Sequence, residues 1–475
     1  MIIGRSFEQQ IIQNALNSKK AELGIVYGRR RVGKSALLRS FINSKEDLYF
    51  EGIKGLTLQK QIDHFTQQLA EQTETLQVKA KNWSEAFRAL TPFLVKKKKY
   101  VVFDEFPWMA SERSELVALL KYFWDNKWKE NPKLTLVLCG SVASYMVRHV
   151  LHSEALHNRK TFEIQLDPLS MSESKSFFRD YRSSFEVAQF LMVFGGIPKY
   201  LEQLDPKKSL ALNINHLCLN KHGFFVNEFE TLFKEQFKVV KNYESIVKLL
   251  SAKSLSKEQI AKSLGHGSGG SLTTTLENLE RAQFIKSFSP MDFEETIKSK
   301  TKRYVLWDEW TRFYLTFMRP HLATIRMNSK QNLFESYIGS KLPTYMGFSF
   351  EKLCLKNIHQ ILQALEIELG ELSYCGPYFR QGARSEKSKP GVQIDIMLIR
   401  KRNILTLIEC KFMQSPVDIQ IIKDFEKKIS ALKAPKRFSI EKVLIAANGA
   451  SDSLIQAEYF NKILTIEDLL SINKF

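Results

Sequence analysis

Gly28, Gly33, Lys34 and Ser35 stand in the stretch YGRRRVGKSALL at the spacing G-x-x-x-x-G-K-[ST]. Residues of these types at this spacing can hold a phosphate chain. The amides of the loop and of the first helical turn behind it point at the anion, and the helix dipole favours its charge. Gly28 and Gly33 permit backbone angles and a close approach that a side chain would block. Lys34 is expected to reach the β- and γ-phosphates of ATP, and the Ser35 hydroxyl to bind Mg²⁺. Arg29, Arg30, Arg31, Val32 and Ala36 complete the expected cradle. At average usage the four fixed residues would match by chance in only about 2% of chains this long.

Such a loop needs a buried strand before it and a helix after it. The apolar run Leu23, Ile25, Val26 predicts the strand, and residues 35–41 predict the helix start. A second acidic constellation follows in KKKKYVVFDEF, residues 96–106, where an apolar strand ends on Asp104 and Glu105. Open α/β sheets bind ligands at the carboxyl edge of their strands, so this pair is expected beside the phosphate loop. Asp104 would hold Mg²⁺ and Glu105 would polarise the attacking water. The lysines before the strand read as its solvated approach. A strand over 134–138 runs into Cys139, Gly140 and Ser141. Ser141 is either a hydrogen-bond partner for the γ-phosphate or water, or an ordinary serine at a strand end. Strands at 48–50 and 162–166, and helices over 56–69, 83–94 and 111–128, complete a mostly parallel sheet covered on both faces.

A third constellation lies near the end of the chain. VQIDIMLIRKRNILTLIECKF, residues 392–412, predicts two apolar strands joined by Lys401, Arg402 and Asn403. A hairpin centred near Arg402 would set Asp395 opposite Glu409. Alternation along the strand would point Glu409 and Lys411 the same way. Glu351, on an amphipathic helix over 348–358, adds a third carboxylate, and a polar loop carrying Arg380, Arg384, Lys387 and Lys389 precedes Asp395. Phosphodiester hydrolysis uses such a set. Carboxylates hold Mg²⁺, which activates water and stabilises the phosphorane, while the lysine positions the water or offsets charge. A loosely spaced D…E-x-K arises about once or twice by chance at this length. A charge cluster in an inactive domain, or a nucleic-acid-binding remnant, therefore remains an alternative to a nuclease.

Between these lie two helical regions. Residues 170–204 end in FGGIPKYLEQL, where Gly195, Gly196 and Pro198 mark a helix junction in a small lid. Residues 240–306 give a helix, a serine-capped helix over 256–264, a glycine-rich turn over 265–270, a third helix carrying Leu272, Leu276 and Leu279, and two strands. This predicts a winged helix-turn-helix. Its third helix would offer Thr274, Asn278 and Arg281, either to a DNA groove or to the rest of the protein. The aromatic run 303–318 is expected to be a core-packing connector.

IIGRSFE, YGRRRVGKS, VVFDEF, LCGS, NRK and FGGIPKYLE, in this order and spacing, resemble the archaeal-type ATPases of the STAND branch of the AAA+ superfamily, over roughly residues 1–235. The resemblance implies that Arg5, Glu8 and Pro198 lie near the nucleotide. It also sets Arg159 where the family has a basic residue near the phosphates, although Asn158 stands where glycine is usual. The last constellation is similar to the PD-(D/E)-x-K fold of restriction-endonuclease-like nucleases, a domain commonly fused to these ATPases. Ile394 occupies the place of the name-giving proline, and Gln420 on the following helix is a further family-like position.

The expected plan is α/β: a P-loop ATPase core over 1–167, a helical lid over 168–238, a winged helix-turn-helix with connector over 239–320, and a small restriction-endonuclease-like domain over 321–475. At 475 residues and 44% hydrophobic content the chain can fill several cores. No apolar run approaches the roughly 18 residues of a membrane span. The five cysteines are scattered without a C-x-x-C pair, which argues against zinc and for a reducing, cytoplasmic setting. The net charge of +19 favours a polyanionic partner, nucleic acid and DNA above all, with an anionic membrane surface as a weaker reading. Self-association is a further expectation.

Overall fold

The structure is a computed structural model that describes residues 2–43, 45–94, 99–110, 115–141, 145–151, 153–154, 156–237, 240–265, 269–289, 302–380, 391–432 and 434–471. Lys96, Lys97, Lys98, Arg384, Lys387 and Lys389 lie outside these residues, as do parts of the expected helix over 111–128 and of the turn over 265–270. The chain divides into two compact units, Met1–Pro168 and Leu169–Lys474.

In the first unit, β1 (Glu22–Tyr27), β2 (Leu48–Glu51), β3 (Lys99–Asp104), β4 (Leu134–Gly140) and β5 (Phe162–Gln165) form one sheet in the order β2-β3-β4-β1-β5. Every pairing in it is parallel. Central parallel strands are covered on both faces, so they read as continuous apolar runs rather than alternating ones; all six residues of β1 and all seven of β4 are buried. The acidic strand β3 is not the neighbour of β1, because β4 stands between them. Ile25 and Phe103 are both paired with Leu138, which fixes the level at which the strands end. Two strand spacings of about 4.8 Å then separate the β1 and β3 backbones, a gap of about 10 Å that long side chains span.

One face of this sheet is closed by the helices Leu58–Thr73, Trp83–Leu94 and Leu116–Asn126, whose apolar residues share one core with Phe50 and Phe103. Aromatic rings fill it. Phe50 stacks on Phe65 at 4.2 Å, and Phe87 meets Trp128 edge-on at 5.2 Å. Edge-to-face and offset pairs of this kind add to simple area burial. Within the expected helix over 111–128 the described part is the helix Leu116–Asn126, and a further short helix, Phe106–Met109, follows β3.

In the second unit the helix Ser184–Phe194 begins with a reciprocal cap between Ser183 and Glu186 and stops at Gly195, whose φ of 67° suits glycine. Pro198 then opens the helix Pro198–Leu201, where its missing N–H costs nothing. Gly196 accepts the Leu169 N–H at 2.8 Å, and a Cβ on Gly196 would land on the Leu169 carbonyl oxygen. The helix Val240–Ala252, β6 (Leu255–Ser256), the helices Lys257–Leu264 and Gly270–Arg281, β7 (Ile285–Phe288) and β8 (Arg303–Leu306) follow, with β6-β8-β7 antiparallel. Ser256 caps its helix with Gln259 as reciprocal partner. The aromatic connector is core: Trp310 and Phe313 are fully buried.

The last sheet comprises β9 (Leu372–Arg380), β10 (Val392–Arg400), β11 (Ile404–Lys411), β12 (Ser439–Ala446) and β13 (Lys462–Leu464) in the order β13-β12-β11-β10-β9. β9, β10 and β11 run antiparallel, whereas β12 and β13 join in parallel. The β10–β11 turn, Lys401–Asn403, has Arg402 and Asn403 at positive φ, and its register, Arg400 to Ile404 and Ile396 to Ile408, is centred on Arg402. The helix Ile421–Leu432 packs Phe425 and Leu432 into a core with Ile394, Met397 and Leu407.

Gly196→Ala forces a methyl group into the Leu169 backbone and is expected to lower stability by about 1–3 kcal/mol. Gly347→Ala sits in a helix with no atom near the new Cβ, so it should be neutral or stabilising by about 0.5–1 kcal/mol. Urea denaturation of both variants checks the pair.

Candidate functional site

Gly28 has φ of 154° and Gly33 φ of 93°, so both phosphate-loop glycines occupy backbone regions that other residues avoid. At Gly28 the obstacle to a side chain is protein: a Cβ there would strike the Leu166 carbonyl at the end of β5. The helix Lys34–Arg39 starts directly behind Gly33. Lys34 is buried and its Nζ donates to the carbonyls of Gly28 at 3.0 Å and Arg29 at 2.9 Å, drawing the loop around its ammonium. Burial pushes the Lys34 pKa below the ordinary lysine range, while Cys139, Glu105 and Asp104 pull it back up. The ammonium and the acid pair therefore share one electrostatic neighbourhood at the carboxyl ends of β1, β3 and β4.

Asp104 is buried, and each of its oxygens has a donor. Tyr49 of β2 donates its hydroxyl to Oδ2, and the Glu105 N–H reaches Oδ1 at 2.8 Å. Burial, with Asp104 second, raises the Tyr49 phenol far above its usual range, so it stays a donor. Glu105 sits at φ 47°, ψ 39°, a left-handed conformation that turns its side chain off the strand line. Its carboxylate accepts the Ser141 hydroxyl at 3.0 and 2.8 Å. Ser141 thus acts on Glu105 in this structure. Neither Tyr49 nor the Ser141–Glu105 bond was visible in sequence, because each joins strand ends at least 36 positions apart.

Arg5, at φ 67° and only 3% exposed, donates to the Val32 carbonyl at 3.0 Å and pairs with Glu8 at 3.5 Å. The opening GR-x-x-E segment therefore braces the phosphate loop from behind. Pro198 belongs to the second unit, at the helix start described above.

Arg159 goes elsewhere. Its guanidinium grips Asp125 through Nε–Oδ1 at 2.8 Å and NH2–Oδ2 at 2.7 Å. Thr161, two residues on, bonds Leu23 near the start of β1. Arg159 is thus at the amino edge of the sheet, a strand length of roughly 15–20 Å from the phosphate loop. The residue pattern that suggested a phosphate contact is a structural ion pair. A cavity of about 630 Å³ opens at this edge beside Lys20, Trp124, Asp125 and Arg159.

In the second unit, Glu351, Asp395, Glu409 and Lys411 do converge. Glu409 is 1% exposed, and Lys411 lies 2.8 Å from it. Asp395 Oδ2 accepts the Cys410 N–H at 2.9 Å, and Gln393 donates to Glu351 at 3.4 Å. Burial, then Asp395 and Glu409, raises the Glu351 carboxyl to about 7. Burial, then Glu409, raises Asp395 to about 6. Like charges this close oppose joint ionisation. A fifth member escaped the sequence reading: Lys428, on the helix Ile421–Leu432, reaches both Glu409 oxygens at 2.7 Å. Among the described residues no group of three or more His, Cys, Asp or Glu side chains is arranged to hold a metal ion. Arg380 turns its guanidinium onto the Ala431 and Leu432 carbonyls, and Gln420 precedes the following helix rather than lying on it. In the three-helix region Asn278 donates to Tyr243 at 2.9 Å and Arg281 pairs with Glu277 at 3.5 Å, whereas Thr274 is half-buried.

Residues 3–204 match the family model of an ATPase domain predominantly from Archaea. That segment is an ATPase domain. Residues 314–422 match a second family, described as Archaea bacterial proteins of unknown function. An uncharacterized protein of Methanocaldococcus jannaschii is 28% identical over 358 residues, 74% of this chain and 76% of the relative. An uncharacterized ATP-binding protein of the same organism is 41% identical over 46 residues, 10% of this chain and 78% of that one. Among solved structures, the chain is similar to a Walker-type ATPase of Pyrococcus abyssi, at 22% identity and TM-score 0.47, covering 66% of this chain and 96% of that one. It is also similar to the Aeropyrum pernix ORC2 protein in its ADPNP-ADP complexes, at 12% identity and TM-score 0.40, covering 67% and 92%. No helix of the described residues is long and apolar enough to cross a membrane.

The raised carboxyls set a pH dependence. Glu351 and Asp395 bind protons more tightly folded than unfolded, so their contribution to stability is complete below about pH 4 and is lost as pH rises through about 6 and 7. Urea melts should show the second unit weakening between about pH 5 and 8, and Glu351→Gln should flatten that fall.

Proposed function

We propose that this chain is an ATP-driven switch whose C-terminal α/β domain acts on nucleic acid, DNA being the favoured substrate. One observation carries the first half: buried Lys34 and Asp104 share one electrostatic site with half-buried Glu105, which Ser141 holds. The donor set suits a magnesium triphosphate. Amides of residues 28–36 and the Lys34 ammonium would meet the phosphates, and Ser35 and Asp104 would hold Mg²⁺, which offsets phosphate charge when bound. Glu105 would take the proton from the attacking water, with Ser141 fixing which way its carboxylate faces. Arg5 and Glu8 would hold the loop in shape through Val32. Pro198, with the glycines before it, would let the lid over 168–238 respond to the nucleotide.

For the C-terminal domain, Glu351, Asp395 and Glu409 supply the oxygen donors that a hard divalent cation prefers. Lys411, beside Glu409, would position the water or offset charge on the phosphate. The pairing of raised carboxyls with a lysine supports metal-dependent phosphodiester hydrolysis. The region over 239–320 has the helix and strand order of a winged helix-turn-helix. Asn278 and Arg281 are committed to partners within the chain. That favours packing within the protein over groove reading, and leaves nucleic acid to the C-terminal domain and to the overall positive charge.

A second reading is favoured by one specific observation: Glu409 is already neutralised by two lysines. On this reading the chain is a nucleotide-gated binding protein that holds DNA or another protein without cutting.

Glu105→Gln should keep ATP binding and slow hydrolysis by about 10²–10⁴-fold in a phosphate-release assay. Lys411→Ala should abolish Mg²⁺-dependent scission of plasmid or oligonucleotide DNA while ATP turnover continues. A Lys411→Ala protein that cuts at the wild-type rate defeats the nuclease assignment. Nucleotide-dependent DNA retention without scission by the wild type selects the second reading.

A further inference from the structure

Tyr49 and Asp104 lie on the same face of the first sheet. β2 and β3 run parallel with Tyr49 beside Val102, and side chains two residues apart on a strand point the same way. The opposite face of these strands, with Leu48, Phe50, Val101 and Phe103, belongs to the aromatic core. To meet Asp104 at the carboxyl edge the tyrosine has to reach forward by two residues, about 6.6 Å along the strand, and its hydroxyl does so at Oδ2. The ring is itself held. The Arg39 guanidinium, on the helix that Lys34 begins, lies 3.8 Å from the ring centroid, and Arg39 pairs with Glu51 of β2 at 3.0 Å.

We propose that Tyr49 is a positioning residue for magnesium: its hydroxyl fixes the Asp104 carboxylate in the orientation from which Asp104 meets the ion or a water on it. This rests on the reading of Ser35 and Asp104 as the magnesium holders. A carboxylate offers about four lone-pair sites. Tyr49 takes one on Oδ2 and the Glu105 N–H takes one on Oδ1. With each oxygen tied once, the carboxylate cannot turn without breaking both bonds, and the lone pairs left over keep one direction. The Glu105 contact is local, made by the backbone of the next residue, whereas Tyr49 comes from another strand. Ser141, just beyond β4, serves Glu105 in the same way. Each acid of the pair is thus oriented by a hydroxyl from a different neighbour of β3. Hydrogen-bond partners behind a metal ligand typically contribute about 10–100-fold to metal affinity.

The test compares ATP binding by the full nucleotide-free chain in saturating Mg²⁺ and in EDTA, by calorimetry; the ratio of the two affinities is the magnesium gain. Tyr49→Phe keeps the ring under Arg39 and removes the hydroxyl alone. Its affinity in EDTA should stay within about twofold of wild type, while the magnesium gain falls about 10-fold or more. Added to Asp104→Asn, Tyr49→Phe should cause no further fall, because the two act through one carboxylate. Thermal melts followed by circular dichroism establish that each variant is folded; if Tyr49→Phe does not fold, Tyr49→Met takes its place with the same expectation. A magnesium gain in the folded variant that equals or exceeds that of wild type overturns the positioning role and leaves the magnesium site standing. So does an equal loss of affinity with and without magnesium, or a further fall on top of Asp104→Asn. A wild type whose ATP affinity is the same in Mg²⁺ and in EDTA overturns the magnesium site as well.

Discussion

The first unit depends on an ammonium and a carboxylate kept out of water, with a second, half-buried carboxylate beside them, at the end of one parallel sheet. Lys34 is buried between loop carbonyls, and its charge is tolerated there because Asp104 and Glu105 end the strand two places away. Removing one partner from such a set leaves a buried, uncompensated charge, which costs far more than an exposed ion pair contributes. β4 between β1 and β3 opens a gap of about 10 Å, and Cys139 and Ser141 at the end of β4 fill it with groups small enough to leave the acid pair facing the loop. Tyr49 completes the arrangement by donating to Asp104 from the far side.

The C-terminal sheet uses the same components with the balance reversed. There burial first, and the neighbouring carboxylates after it, push Glu351 and Asp395 toward protonation. Two lysines contact Glu409 directly and act on Glu351 and Asp395 through space. A site that is strained electrostatically at rest favours whatever relieves the repulsion, and perturbed carboxyls of this kind make it a candidate functional site.

What could be read from the sequence was what the chain places close together or repeats with a fixed period. The phosphate loop is a run of consecutive residues, so its spacing alone puts Gly28, Gly33 and Lys34 on one turn. The two apolar strands around Arg402 gave the hairpin register by counting outward from the turn. The five-stranded parallel sheet followed from continuous apolar runs alternating with helical ones. What escaped was set by tertiary placement. Arg159 is followed by a strand and resembles a phosphate contact, but it lies at the amino edge, and only the pairing of β5 with β1 shows that. Lys428 belongs to an ordinary amphipathic helix, and nothing in its local pattern sets it apart from Lys423 or Lys427. The insertion of β4 beside β1 is likewise a matter of sheet order, on which local periodicity is silent.

On the function proposed above, the glycine-bounded loop, with Lys34 and the acid pair, grips a triphosphate. Isothermal calorimetry of magnesium-ATP on the purified, folded chain tests it directly, with Lys34→Ala as the comparison. The account requires saturable binding by the wild type at one site per chain and its loss in Lys34→Ala. No heat of binding from the wild type at millimolar nucleotide, or equal binding by both proteins, would contradict it.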